Sequence, residues 1–587
     1  MIVLSDSINN QEYYLERQGK MKKIVALFLS VFMIFSLCTA CSTNTGTEST
    51  EAQSETQKET QAETKAETQA ATETAAEAVE EEKPSVVNMK LVMLNSTQTA
   101  LKPPTNCSHM DNALLFETLM RFDVEKGEYI NVLAESYTRS DDGLTHTVTL
   151  KDATFQDGHP ITAEDVLYTY NFNVQAAQPY ANRLINIKGY EDVVSGTVAE
   201  MSGITAPDDK TVVFELTAPN FEFEQVLSNS NFGILPAHLL SDKPWADVLE
   251  YEEFWKQPVG SGPYMVSEIH YPNYIVLERF ENYVMGTPGI KNIVMTAYEG
   301  DSAYAAGMAG EIDLIRQVTA DAADTIVAAN PSMKLEVCDA AYNKVLVMNL
   351  SNNGRDDLKN NKIRQALNML VDKQMLVDYC GALTSVATTH SSSAYYNTDI
   401  PVWQRDVEGA VKILKEEGFD FNTPLKLYTN GTDQQTIDVM DMLIAQLAEG
   451  GISAEYYVDD KNAGEILYTT LDFDIYYGGN NNLAAGAYNF VKTGSTYDVW
   501  YTDEMNAEKQ SRYTDLINAY SGTADATEKT QLLDQLQVNS MEDMYTIPLF
   551  FTNTGWMVAD RFQGFAPYSV DYGVYAYLNT PKWSIAD

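Results

Sequence analysis

The chain has 587 residues, 44% of them hydrophobic, with 39 basic against 83 acidic side chains and a formal charge of −44. That length exceeds what one hydrophobic core supports and predicts two to four domains. The charge excludes nucleic acid as a partner, since phosphate is repelled and no basic stripe with interleaved aromatics is present; an acidic exterior keeps a secreted protein soluble and mildly favours cationic cargo.

Lys22-Lys23 and the apolar run Ile24 to Leu37 form the n-region and h-region of a signal peptide, too short for a permanent membrane-spanning helix. A complete leader starts at Met21, so residues 1–20 are read as an extension ahead of the true start; the codons of Gln18-Gly19-Lys20 are purine-rich, as in a ribosome-binding site. The leader, 21–40, ends at LCTAC, where small Thr39-Ala40 precedes Cys41. This resembles a lipobox, which implies a diacylglyceryl group on the Cys41 thiol, although Cys38 stands where such motifs prefer leucine. A metal or redox reading of Cys38-Thr-Ala-Cys41 fails, because no second ligand pair exists anywhere in the chain.

Residues 41–86 hold the lipidated cysteine and a segment of Glu, Thr, Ala, Gln and Ser, with eleven Glu against three Lys between 42 and 84. Such a composition cannot bury a core and predicts a disordered tether. Were it helical, Glu55, Glu59, Glu63 and Glu67 would stack as like charges. As a coil of about forty residues it reaches roughly 35 Å.

In the folded part, TVTLKDATF places Val148 and Leu150 on one strand face, and FQDGHPITAEDV, Phe155 to Val166, turns at Asp157-Gly158. Thr162 is placed to cap a helix with Asp165 three residues on, just before Val166, Leu167, Tyr168, Tyr170 and Phe172. LAES lies upstream from Leu133 to Ser136. Downstream come GSGPY at 260–264, GEIDL at 310–314 and KIRQALNMLVDK at 362–373.

These five motifs, in this order and at these spacings, closely resemble the bacterial family 5 extracellular solute-binding proteins, the peptide, nickel and oligosaccharide receptors of ABC importers. The resemblance spans residues 87–587. It implies an α/β, two-lobed fold like that of periplasmic binding proteins, of the large peptide-binding type, with an extra domain in the first lobe. Mapped onto this chain, the first lobe is 87–122, 203–316 and 545–587, the extra domain 123–202 and the second lobe 317–544. The interlobe crossings are expected near Asp313–Gln317 and Tyr545–Pro548.

Farther on, residues 406–417 predict a helix capped by Asp406 and stopped by Gly418. A βαβ unit follows: a strand at Leu425–Tyr428, a helix over Thr436–Leu447 and a strand over Ile452–Val458, with one more strand at Asp472–Tyr477. Ligands of open α/β sheets bind outside the carboxyl ends of strands. That directs attention to Thr429-Asn430-Gly431, Asp459-Asp460 and, above all, Gly478-Gly479-Asn480-Asn481-Asn482. Peptide receptors of this family commonly carry an aspartate just after the last of these strands, pairing with the ligand's α-amino group; here Asn480, Asn481 and Asn482 offer amides without charge. Tyr395, Tyr396, Trp403, Tyr488 and Trp500 are the aromatics placed to line a cleft.

Catalytic motifs are absent: there is no HExxH, GxSxG, P-loop lysine or calcium-binding loop. The six histidines are scattered, and Cys107, Cys338 and Cys380 are read as buried free thiols. The expectation is a monomeric, lipid-anchored receptor on the outer face of the membrane, neither enzyme nor metalloprotein and without a cofactor. It captures oligopeptides and delivers them to an ABC permease with its ATPase subunits. An oligosaccharide receptor is the runner-up and a nickel or metal-chelate receptor the third reading.

Overall fold

The computed structural model describes residues 86–91, 113–123, 128–176, 181–270, 273–298, 302–318, 320–385, 387, 389, 396–400, 402–481, 487–565, 569–570, 573–574 and 580–586. The chain divides into Met1–Glu80 and Glu81–Asp587, and every described residue belongs to the second unit.

One sheet of eleven strands runs through both lobes. Its order is Ala454–Val458, Leu425–Thr429, Ile475–Asn481, Met333–Met348, Thr546–Ala559, Leu314–Val318, Val86–Leu91, Asn292–Ala297, Tyr274–Arg279 and Tyr264–His270, and Leu383–Thr384 adds to Thr546–Ala559. Two strands are long, Met333–Met348 with 16 residues and Thr546–Ala559 with 14. At about 3.3 Å per residue the longer one spans roughly 50 Å, enough to serve two cores. Met333 to Asp339 pairs with Asn553 to Ala559, Asn343 to Val347 pairs with Thr546 to Phe551, and the register breaks between Asp339 and Asn343.

The packing follows that break. Met333, Met557 and Ala559 sit in a first-lobe core with Ile312, Ile315 and Ile326. Val345, Leu346, Val347, Ile547, Leu549 and Phe550 belong to the second-lobe core, whose buried residues run from 345 to 550. Residues 313–317, expected at a crossing, lie instead in and beside Leu314–Val318, inside the first lobe's sheet. The passage between lobes is made within the strands themselves, and Pro548 and Gly555 of Thr546–Ala559 lie on either side of the break and not in it. The expected boundary at 316/317 falls inside that strand, and the one at 544/545 falls between helix Ala526–Asp543 and Thr546–Ala559.

The extra domain is a four-stranded antiparallel sheet, Ala134–Arg139, Thr145–Leu150, Thr211–Glu215 and Ile204–Asp208 in spatial order. The expected limit at 202/203 precedes its last two strands. His146, Val148 and Leu150 point inward, as their alternation predicts. Helix Ala163–Gln175 packs Val166, Tyr170 and Val174 on this core. Its cap has the expected form: the Asp165 carboxylate accepts from Thr162 N at 2.8 Å and Thr162 Oγ1 at 3.0 Å. The other Asp165 oxygen accepts from Ala237 N at 2.9 Å, so the cap also ties the domain to the segment that follows it.

The signature block and GSGPY form one joint. Gln156 N donates to Gly260 O at 2.9 Å, Gly260 N donates to Gln156 Oε1 at 2.9 Å, and Gln156 Nε2 donates to Tyr264 O at 2.7 Å. Gly158 turns the chain there at φ +87°. Beside it, Ser261 Oγ accepts from Glu117 N at 3.0 Å, and buried Glu117 pairs with Arg121 and accepts from Tyr283 OH at 2.7 Å. Signature residues thus weld the extra domain to the first lobe.

Candidate functional site

The second lobe's sheet presents the βαβ unit expected from its sequence. Leu425–Thr429 is parallel to Ala454–Val458 and to Ile475–Asn481. Helix Gln434–Glu449 starts two residues before its first expected residue, because Asp433 Oδ1 accepts from Thr436 N at 2.9 Å and caps it. Helix Val407–Glu416 has its cap at Asp406, and Gly418 takes φ +82° at its end.

The strand expected at Asp472–Tyr477 is in fact Ile475–Asn481, so Gly478, Gly479, Asn480 and Asn481 are its last residues and not a loop beyond it. Continuous pairing with Met333–Met348, from Met348↔Ile475 to Tyr342↔Asn481, carries it that far. The glycines remain in the ladder because tyrosine rings take the space of their side chains. A Cβ on Gly478 would lie 2.3 Å from the Tyr476 ring, and one on Gly479 would lie 2.0 Å from the Tyr342 ring.

The other expected site residues scatter. Asn482, Tyr395 and the lipidation site Cys41 lie outside the described residues, and Asn480 and Asn481 are described as backbone positions only. Tyr488 is 2% exposed, its ring 6.3 Å from that of Tyr513. Trp500 is fully buried, donates from Nε1 to Leu467 O at 2.5 Å, and packs among Phe473, Tyr476, Phe490 and Tyr497. Half-buried Trp403 donates from Nε1 to Met541 O at 3.4 Å, against the last turn of the helix that feeds the Thr546 end of the long strand. Asn343, paired with Asn480, faces the other end of that segment, at Phe551. The structure therefore keeps Trp403 away from the edge that carries Asn480 and Asn481, while Trp500 packs on Tyr476 of that strand as an enclosed core residue. Of the cysteines, Cys380 is a free, half-buried thiol, Cys107 lies outside the described residues, and Cys338 is described as a strand position only.

What meets at that edge is a set the sequence reading did not select. Tyr342, Lys344, Asp433, Cys380, Tyr476 and Tyr477 gather where Met333–Met348 leaves the first lobe. Tyr476 OH donates to Asn430 Oδ1 at 3.0 Å, and Thr429 Oγ1 accepts from Gly431 N at 3.1 Å. Burial lowers the Lys344 ammonium from its ordinary range while the Asp433 carboxylate opposes that shift, and burial pushes the Cys380 thiol up to about 12. Nearby, burial pulls Lys373 down to about 7, with its Nζ 3.5 Å from Ser385 O. One signal was available: Lys344 interrupts YNKVLVMNL, an apolar strand run in which a charged side chain calls for a reason.

The extra domain also reaches the second lobe directly. Glu222 forms an ion pair with Lys529, and Phe221 N donates to Ser521 O at 2.6 Å. Among the described residues, no group of three His, Cys, Asp or Glu is placed to hold a metal ion, and no helix is long and apolar enough to cross a membrane.

Two α/β cores threaded by a shared pair of long strands, with an antiparallel domain welded to the first, define a bilobed binding protein. The family model "Bacterial extracellular solute-binding proteins, family 5 Middle" matches residues 128–501, and the chain belongs to this family, whose members serve ABC importers as substrate-binding proteins. It is 25% identical over 501 residues to the oligopeptide-binding protein AppA of Bacillus subtilis, covering 80% of this chain and 86% of that protein. It is 27% identical over 343 residues to the glutathione-binding protein GsiB of Salmonella typhi, covering 57% of this chain and 62% of that protein. Among solved structures, the ABC transporter substrate-binding protein CtaP of Listeria monocytogenes superposes with a TM-score of 0.70 at 21% identity, covering 86% of this chain and all of that one. AppA of Bacillus subtilis in complex with a nonapeptide gives 0.69 at 22%, with the same coverage.

Proposed function

We propose that this protein is the oligopeptide receptor of an ABC importer, anchored by a lipid at Cys41, that encloses its cargo between the two lobes and releases it unchanged. The observation that carries the peptide reading is the extent of the likeness to AppA, which runs through both lobes and not through one shared motif. Closure is a rotation about the two long strands, with residues 340–342 and 552 at the break in their pairing taking up the change in backbone angles. The carboxyl edge of the second lobe's sheet, with Asn480 and Asn481 at its rim, faces the cargo. Titration calorimetry with mixed-sequence nonapeptides tests the peptide reading: saturable binding of one peptide per chain supports it, and heat only from neutral oligosaccharides transfers the assignment to that class.

The anchor rests on the apolar leader ahead of Cys41. Two acyl chains on one residue hold a protein stably where one chain is marginal. Cys41→Ser is expected to move the protein from the membrane fraction to the medium, or to leave it as unprocessed precursor. A processed mutant that fractionates as the wild type does removes the lipid from the account.

A further inference from the structure

The strand register puts Tyr342, Lys344 and Leu346 opposite Asn481, Gly479 and Tyr477. Alternate residues share a face of a sheet, so Tyr342, Lys344 and Tyr477 stand together on one side. Lys344 Nζ lies 5.2 Å from the centre of the Tyr477 ring and 5.9 Å from that of Tyr342. The Tyr342 ring covers Gly479, 2.0 Å from where a side chain there would begin, yet Tyr342 keeps 40% of its surface exposed. The result is a half-buried ammonium between two aromatic walls, one of them open.

No carboxylate of the described residues comes within ion-pairing distance of Lys344. Asp433 acts on it from farther away, and both of its oxygens are engaged, accepting from Thr436 N at 2.9 Å and Thr436 Oγ1 at 2.8 Å. The Cys380 thiol, pushed up to about 12, is neutral at ordinary pH. Two other enclosed cations of the second lobe are matched: Arg364 spends its donors on three backbone carbonyls, and Lys509 donates to Asn506 Oδ1 at 2.9 Å with Asp498 at 3.6 Å. Lys373, by contrast, has only Ser385 O at 3.5 Å among the described residues and shares the uncompensated charge of Lys344. In a chain with 83 acidic residues, an ammonium withdrawn from water without a carboxylate beside it is an unfavourable arrangement that an incoming anion relieves.

We propose that Lys344 is the carboxylate-binding group of the cleft: the cargo presents a carboxylate to its ammonium, flanked by the rings of Tyr342 and Tyr477. This rests on the receptor reading above and specifies the chemistry of its cargo. Cation–π contacts orient the ammonium without neutralising it, so the charge remains available.

The test uses the full chain and three sets of N-acetylated nonapeptides: free C-terminal acids lacking Asp and Glu, the same sequences as C-terminal amides, and amides that contain Glu. Oligogalacturonides and neutral galacto-oligosaccharides are run in parallel, with bound species weighed by native mass spectrometry. The wild type should prefer peptides bearing a carboxylate over neutral amides by about 10- to 150-fold, the range of a charge-assisted hydrogen bond. Lys344→Met should lose that preference without lowering the melting temperature, since it removes an uncompensated charge, and Lys344→Arg should keep most of it. If C-terminal acids and Glu-containing amides are both preferred, any carboxylate suffices; if only the first are, the site reads the peptide end. Acids and amides bound alike by the wild type, or a preference that survives Lys344→Met, overturn the assignment while leaving the peptide reading intact. If no peptide of any set is retained, the peptide reading fails and the sugars decide: a Lys344-dependent preference for galacturonides upholds the carboxylate site, and its absence overturns it.

Discussion

Replacing Arg364 with Met is expected to destabilise the second lobe by about 3–5 kcal/mol, the range for breaking a buried network of a charged group. Arg364 is 2% exposed on helix Asn361–Leu370. Its Nε and Nη2 donate to Asp543 O at 2.8 and 2.5 Å, and its Nη1 donates to Leu358 O at 2.8 Å and Lys359 O at 2.9 Å. The guanidinium also lies 4.8 Å from the centre of the Tyr545 ring. One side chain thus joins the start of its helix to the residues where the chain turns back toward the first lobe. Methionine fills much of the volume but leaves three buried carbonyls without donors, each costing about 1–3 kcal/mol before relaxation. Lysine cannot satisfy carbonyls on two sides of a fork, so Arg364→Lys should recover less than half of the loss. Urea unfolding of both variants measures this, and a loss below about 1 kcal/mol for Arg364→Met would mean that water replaces the guanidinium.

Gly260→Ala is expected to cost about 3 kcal/mol, the upper end for an overpacked site. A Cβ there would lie 1.9 Å from Leu115 O and 2.9 Å from Leu115 C, both backbone atoms that no side-chain rotation clears. Relief requires moving the 113–116 segment or the Gln156 joint, whose hydrogen bonds hold Gly260 in place. Gly464→Ala is the control, since nothing lies within 4 Å of its added carbon, and it should shift stability by less than about 0.5 kcal/mol. Equal urea midpoints for the two variants would show that the joint yields.

These two positions also show what the sequence revealed and what it withheld. Both lie in motifs that pointed to the family, and both hold the fold together. Local chemistry was legible where one residue decides an element, as with Asp165 at its cap, Asp406 at its helix start and Gly418 at its stop. The long strands were not legible, because Met333–Met348 crosses two environments and its alternation changes meaning at residues 339–343. The end of Ile475–Asn481 was missed for a related reason. Gly-Gly-Asn-Asn reads as a turn, and only the rings of Tyr342 and Tyr476, one of them from a strand far away in sequence, make it a place where glycine is wanted. Candidate aromatics were chosen by proximity to loops, which cannot separate Trp500, enclosed by its own lobe, from Tyr342, exposed at the edge.

Native mass spectrometry of the purified full chain after incubation with an equimolar peptide mixture shows whether the protein is a receptor that returns its cargo unchanged. One non-covalently bound peptide per chain is expected, recovered at its original mass after denaturation, with no cleavage products in solution. Peptides that are cut, or a protein that retains none of them, would contradict it.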